Sequence, residues 1–269
     1  MTLQKLHSDE AAFHDRWAKA TKLENVPVQA AFESPAALEN AFILEQMGPL
    51  NGKRVLDIGA GLGESSVYFA LQGARVTCTD VSAEMVDFAC RLARHNGVEL
   101  EGVVAAGEHL NVPEDFFDFA YVANTIHHVG DKRQLFQQIH SALRPGGKFF
   151  SIDPLRYNPV IQIYRRIATE VRTIDEAPLS FDDLEIMKEY FQNVQHCEFW
   201  ILSLALFLKY YLVDRVHPNQ DRYWKRIYRE RAGDLWWWFP LRSADDLLTH
   251  MPGVRRLAWN MVAWGEKPR

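Results

Sequence analysis

The chain has 269 residues, of which 48% are apolar and 24% charged, with a net charge of -5. That balance suits one large globular domain, or one domain carrying a substantial insertion, and it excludes a general attraction for nucleic acid or acidic lipid. Three scattered cysteines, Cys78, Cys90 and Cys197, have no metal-ligand spacing and speak for buried thiols in a reducing compartment rather than a disulfide framework.

The opening segment "MTLQKLHSDEAAFHDRW" lacks the apolar stretch and cleavage site of a secretory signal. The longest apolar run, "FWILSLALFLKYYLV" at 199–213, holds Lys209 and falls short of the ~20 residues a membrane span needs. The expectation is a cytoplasmic protein with no transmembrane helix.

Residues 8–48 read as helical, with Ser34-Pro35 as an N-cap and first-turn pair. From residue 53 strands and helices alternate. "RVLDIG" is a strand, 63–72 a helix closed by Gly73, and "ARVTCTD" a second strand. Ser82 caps a helix with Val86, Ala89, Cys90 and Ala93 on its apolar face, stopped by Asn96-Gly97. "LEGVVAA" and "FDFAYVA" are strands three and four. Asp131 and Gln134 open a helix ended by "RPGG", and "KFFSID" is strand five. Strands apolar on both faces in this rhythm imply a buried parallel sheet.

Beyond Asp153 the rhythm breaks. Asn158-Pro159 starts a helix running through Val171, and Ser180 with Asp183 starts another that reaches Phe191. An extended segment near 194–203, an aromatic and partly basic insertion at 204–250, and a final strand "VRRLAWNMVAW" complete the chain.

Ligands of parallel sheets lie beyond the carboxyl ends of the strands. Here those ends carry Asp57, Asp80, Gly107-Glu108, Asn124 and Asp153. One polar strand end is an ordinary turn; five beside a glycine turn point to a ligand. The turn "VLDIGAGLGESS" spaces its glycines G-x-G-x-G, unlike the G-x-G-x-x-G of dinucleotide sites, and Glu64 follows where a pyrophosphate would rest. A cationic ligand fits better. Asp80, 23 residues after Asp57, stands where an acid grips ribose hydroxyls.

"VLDIGAGLGESSVYFA", "VTCTDVSAEMV", "FDFAYVANTIHHV" and "ALRPGGKFF" resemble the successive motifs of the class I S-adenosylmethionine-dependent methyltransferases, closest to the ubiquinone/menaquinone-type small-molecule branch. The resemblance covers about 50–153 and the last strand. It implies an α/β fold: a Rossmann-like, doubly wound, mostly parallel seven-stranded sheet with a helical cap. The implied segments are a cap at 1–48, a cofactor-binding core at 49–153, acceptor-side helices and a sixth strand at 154–203, the insertion at 204–250, and the last strand at 251–269.

The resemblance further implies S-adenosyl-L-methionine as cofactor. It places Asp57, Gly59, Gly61 and Gly63 at the methionine end and Asp80 on the ribose. Val81, Ser82 and Met85 flank the adenine, and Asn124 and Thr125 lie beside the sulfonium. Many relatives carry an adenine-contacting Asp after strand three. Ala106 stands there in this chain, leaving Gly107, Glu108 or backbone to hold the base. Some quinone-precursor enzymes of the branch hold a divalent metal after strand four. This chain offers Asn124, His127 and His128 without a carboxylate, and no metal is expected.

His127 or His128 as general base, and Asp153 beside them, are the catalytic candidates, against a purely structural role for the histidines. Tyr157, Trp224 and Tyr228 are the acceptor-side candidates. The aromatic density of the insertion fits either an apolar pocket or a plain cap core. The stripe Arg222, Arg226 and Arg229 fits either a solvated cap helix or peripheral membrane contact through 199–231. The expected activity is methylation of a mainly apolar small molecule: lipid-like, isoprenoid or aromatic. An amphiphilic acceptor with an anionic head group at a membrane surface is the alternative. An NAD-dependent oxidoreductase and a non-catalytic cofactor-binding protein are rivals of other classes, opposed respectively by the glycine spacing and by the intact Asp57, glycine turn and Asp80.

Overall fold

The structure is a computed structural model that describes residues 2–171 and 176–269. Residues 172–175, inside the segment read as acceptor-side, lie outside the described residues. Seven strands form one sheet: β1 (Arg54–Ile58), β2 (Arg75–Asp80), β3 (Glu101–Val104), β4 (Phe117–Ala123), β5 (Leu143–Pro154), β6 (Gln192–Phe199) and β7 (Asn260–Glu266). Their order is β3-β2-β1-β4-β5-β7-β6. The first five are parallel, and β7 runs antiparallel to both β5 and β6. The strand order reverses between β1 and β4, which opens a crevice at their carboxyl ends.

The described helices are α1 (Leu3–Ala20), α2 (Ala30–Glu33), α3 (Leu38–Met47), α4 (Glu64–Leu71), α5 (Ala83–His95), α6 (Lys132–Ala142), α7 (Pro159–Ile167), α8 (Asp183–Tyr190), α9 (Ala205–Leu208), α10 (Tyr223–Arg226) and α11 (Phe239–Leu248). Ser82 caps α5 by accepting from the Met85 amide at 3.0 Å, and Asp131 caps α6 by accepting from Gln134 at 3.1 Å. The Ser180 amide donates to Asp183 at 2.6 Å just ahead of α8. Apolar residues cover both faces of the sheet, in one core around Val55, Phe69, Tyr121 and Phe150 and another around Leu56, Phe136, Phe149 and Met187.

Several local expectations are corrected. Ser34 ends α2 rather than starting a helix; its hydroxyl accepts from the Ala36 amide, and α3 begins only at Leu38. α7 stops at Ile167, short of Val171. β5 already pairs at Leu143, so "RPGG" is an irregularity within the strand. The last strand starts at Asn260, because 254–257 forms a tight turn with the Arg255 guanidinium over the Phe181 ring.

The insertion builds a third core of its own around Trp200, Phe207, Tyr210, Tyr223 and Trp238. Buried Asp245 on α11 ties it to the sheet's edge, accepting from the backbone amides of Ile201, Leu202 and Ser203 at 2.7–3.1 Å. No described helix is long and apolar enough to cross a membrane.

Gly63 has φ +86° and begins α4, and a Cβ there would lie 2.6 Å from the Cβ of Ala89 on α5. Left-handed strain and overpacking then add. Gly63→Ala should destabilise the fold by about 2–4 kcal/mol in urea unfolding. An unchanged midpoint would contradict this close approach of α4 and α5.

Candidate active site

At the carboxyl edge of the sheet lies a cavity of about 250 Å³. Its floor is built by the glycine turn. Gly59 (φ +69°) presses its backbone against Thr125, so that a Cβ would overlap that side chain. The Gly61 amide (φ +54°) donates to Asp80 Oδ2 at 2.9 Å, while the Ser82 amide donates to Oδ1 at 2.9 Å. Asp80 thus shapes the turn it stands beside and keeps lone pairs for a ligand. Asp57 accepts from the Ser66 hydroxyl at 2.6 Å.

Burial dominates the electrostatics of this floor. It pushes the Asp57 carboxyl up to about 7, with the Ser66 bond opposing and the charges of Asp80 and Glu64 adding. Burial also raises Asp80, opposed by His14 and by the Ser82 and Gly61 amides. Neighbouring carboxylates out of water call for a cationic ligand.

Beyond β4, Asn124 adopts φ +52° and leads into a short turn carrying His127 and His128. His127 Nδ1 lies 2.6 Å from Asp153 Oδ1, and the His127 amide donates to the same oxygen at 3.1 Å. Burial pushes the Asp153 carboxyl up to about 7, opposed by these amides and by the charge of His128. The other ring nitrogen, Nε2, is 3.9 Å from Glu176. His128 Nδ1 is 3.0 Å from Glu10.

Most expected site residues converge. Asp57, Gly59, Gly61, Asp80, Val81, Gly107, Glu108, Asn124, Thr125, His127, His128, Trp224 and Tyr228 all line the cavity. Five do not. Gly63 serves helix packing, Ser82 caps α5 and donates to Asp15 at 2.5 Å, and Met85 is buried in the core. Asp153 is fully buried beneath His127, and Tyr157 stacks on Phe181 outside the cavity. Glu108 is occupied already, accepting from the Gly130 amide at 3.0 Å and facing His7 Nε2 at 3.2 Å.

The roof was largely missed residue by residue. One face of α1 supplies His7, Glu10, His14 and Trp17, a helical spacing legible in the sequence. Tyr164, Glu176, Trp259 and Asn260 carry no local signal. Glu176, 48 positions after His128, supplies the carboxylate that seemed absent: His127, His128 and Glu176 offer ligand atoms within 4.8 Å of one another. Arg222 and Arg226 of the arginine stripe are part-buried, whereas Arg229 stays exposed. Arg226 pairs with Asp214 and Asp221, Arg229 with Asp221, Lys225 with Glu64, and Arg222 covers the Trp17 ring. Trp17 and Trp224 meet edge to face at 5.8 Å, closing α1 onto the insertion.

Fold and site together define a Rossmann-like α/β protein whose cavity floor is made of acids and glycine backbone. Residues 56–151 match the model of the methyltransferase domain family. This stretch therefore resembles a methyltransferase domain, a kind of domain that uses S-adenosylmethionine as its cofactor. The chain is 35% identical over 130 residues to a ubiquinone biosynthesis O-methyltransferase of Aeromonas salmonicida, covering 48% of this chain and 54% of that protein. It is 34% identical over 127 residues to phosphoethanolamine N-methyltransferase 1 of Arabidopsis thaliana, covering 46% of this chain and 26% of that one. The chain thus spans about half or less of the length of these relatives. Phosphoethanolamine N-methyltransferase 2 of Haemonchus contortus, solved with phosphomonomethylethanolamine and S-adenosylhomocysteine, shares the fold: TM-score 0.59, 21% identity, 86% of this chain and 53% of that chain.

The raised carboxyls set a pH dependence. The neutral form of Asp57 is the favoured one in the ligand-free fold. Its contribution to stability is full below about pH 4 and is lost as pH rises through about 7. A sulfonium cation prefers the ionised form and acts in the opposite sense. Thermal stabilisation by S-adenosylmethionine should therefore grow from pH 6 to pH 8, and Asp57→Asn should flatten it. A pH-independent increment in the parent protein would refute this coupling.

Proposed function

We propose that this protein transfers the sulfonium methyl of S-adenosylmethionine to a mainly apolar small molecule that is lipid-like, isoprenoid or aromatic. The observation carrying this reading is the division of the cavity. Acids and glycine backbone occupy the β1–β2 side, and aromatic side chains from three separate segments (Trp17; Tyr164; Trp224, Tyr228) roof the rest. An apolar acceptor buries its surface against those rings and is held in line with the methyl group. The ubiquinone O-methyltransferase relative supports this acceptor class. The ion pairs of Lys225 with Glu64 and of Arg226 with Asp214 and Asp221 speak against a free anion-binding face.

In this reading Asp80 takes the ribose hydroxyls, and Asp57, Gly59 and Gly61 the methionine amino end. Val81 and Gly107 border the adenine, and Asn124 and Thr125 the sulfonium. Asp153, a positioning residue, accepts the Nδ1 proton of His127 and so leaves Nε2, which lies 3.9 Å from Glu176, as the basic nitrogen. His127 takes the proton of an acceptor O–H. The oxygen's electron pair forms the new C–O bond as the C–S bond breaks, and the thioether S-adenosylhomocysteine leaves.

His127, His128 and Glu176 form a nitrogen-and-oxygen donor set that suits a divalent transition metal better than Mg²⁺, and they would be the residues to hold one. Such an ion would supply Lewis-acid activation of the acceptor oxygen.

With methyl-labelled S-adenosylmethionine and a cell extract, label should enter the organic-soluble fraction; label confined to protein or RNA would overturn the acceptor class. Asp80→Ala should weaken S-adenosylhomocysteine binding by about 1–3 kcal/mol in calorimetry. His127→Ala should lower kcat by roughly 10²–10⁴-fold with cofactor affinity retained. Activity unaffected by EDTA would assign the proton transfer to His127 alone, whereas activity lost to EDTA and restored by Zn²⁺ would assign it to a metal site.

A further inference from the structure

Away from the cofactor motifs, the far wall of the cavity holds two buried polar side chains on elements outside the matched methyltransferase-domain stretch 56–151. Glu39 on α3 is 6% exposed, and Asn260, first residue of β7, is 5% exposed; both line the cavity. The Asn260 side-chain amide donates to Glu39 Oε1 at 2.6 Å. That bond fixes which end of the amide is nitrogen, and it leaves Asn260 Oδ1 pointing away from the carboxylate. Among the described residues Oδ1 is a buried acceptor with no donor. Buried acceptors are normally satisfied, and an unsatisfied one on a residue that lines the cavity points to a donor still to be brought by a ligand. The neighbouring Asn40 shows the contrast: its amide donates to Ala31 O at 2.7 Å and its oxygen accepts from Tyr121 at 2.7 Å. Burial also raises the Glu39 carboxyl, offset in part by the Asn260 bond, so a further donor would relieve it.

The sheet provides a ruler. Asn260 pairs in register with Pro154, next to Asp153, the residue that orients His127. β7 is one strand from β5, two from β4 and four from β2. At ~4.8 Å per strand, Asn260 lies roughly 5–10 Å from the His127 region and ~19 Å from the Asp80 strand. That is beyond the cofactor and within reach of an acceptor.

We propose that Glu39 and Asn260 form an acceptor subsite for a hydrogen-bond donor, a hydroxyl or amine N–H, carried roughly 5–10 Å from the atom that is methylated. The proposal rests on the methyl-transfer reading only for calling this ligand the acceptor. An apolar molecule held by the aromatic roof alone would slide along it; a second anchored donor sets its depth and presents one atom to His127.

The test compares 4-octylphenol with 4-octylresorcinol, which adds a second hydroxyl, by quenching of tryptophan fluorescence with and without S-adenosylhomocysteine. The parent protein should bind the resorcinol at least ~10-fold more tightly. Asn260→Leu should bring the two within about 2-fold of each other, and Glu39→Gln should reduce the preference, with S-adenosylhomocysteine affinity unchanged in both. Equal binding by the parent protein, or a full preference retained in Asn260→Leu, would overturn the subsite. Should Asn260→Leu not fold, the Glu39→Gln ratio decides, and a preference kept at the parent level overturns it. Methyl transfer is scored separately by turnover of labelled cofactor. A chain that prefers the diol but transfers no methyl group refutes the reaction and not the subsite, and the converse refutes only the subsite.

Discussion

Asp57 and Asp80 stand at the ends of neighbouring strands in the cavity wall and Asp153 lies beneath it at the end of β5, all three taken out of water and only partly compensated. An uncompensated buried carboxylate is costly, and the chain meets that cost with geometry. Asp80 accepts two backbone amides and in doing so folds the glycine turn. Asp153 accepts from the turn after β4 and from His127, and so sets the histidine's orientation. Asp57 has only the Ser66 hydroxyl and like-charged neighbours, and its carboxyl is raised accordingly. What remains unmet is a demand for positive charge where β1 meets β2, which is what the proposed sulfonium ligand would supply.

The same parallel sheet explains why two such different halves meet. Its carboxyl edge is the one place where strand ends, far apart in sequence, become neighbours at ~4.8 Å intervals. Over β2 and β1 those ends are acid and glycine, over β4 Asn124 and Thr125, and over β5 and β7 Pro154 and Asn260. α1 and the insertion then close across the top, joined by the Trp17–Trp224 contact, while the Lys225–Glu64 ion pair ties the insertion to α4. The basic stripe of the insertion thus works as an internal clasp. Arg226 pairs with Asp214 and Asp221, Lys225 with Glu64, and Arg222 covers Trp17, so these three are part-buried while Arg229 stays exposed.

The aromatic residues of 199–239 show how one composition serves two ends. Trp224 and Tyr228 reach the cavity, whereas Phe207, Tyr210, Tyr223 and Trp238 fill a separate core that holds those two in place. Tyr211 and Trp236 remain outside. Nothing local distinguishes these positions, because side-chain destination in short irregular helices depends on the neighbours they meet rather than on a repeat.

The amino-acid sequence alone determined the alternating core, its five parallel strands, the caps at Ser82 and Asp131, and most of the floor residues. Those features follow from local rules: strand burial on both faces, cap chemistry, and glycine where φ turns positive. Tertiary structure alone decided that Gly63 packs against Ala89 instead of a ligand, that Asp153 supports His127 from beneath, and that Glu176 joins the two histidines. It also decided that Asn260 meets Glu39 across 221 positions of chain. Such encounters are set by strand order and the docking of helices over the sheet, and no spacing within the chain encodes them.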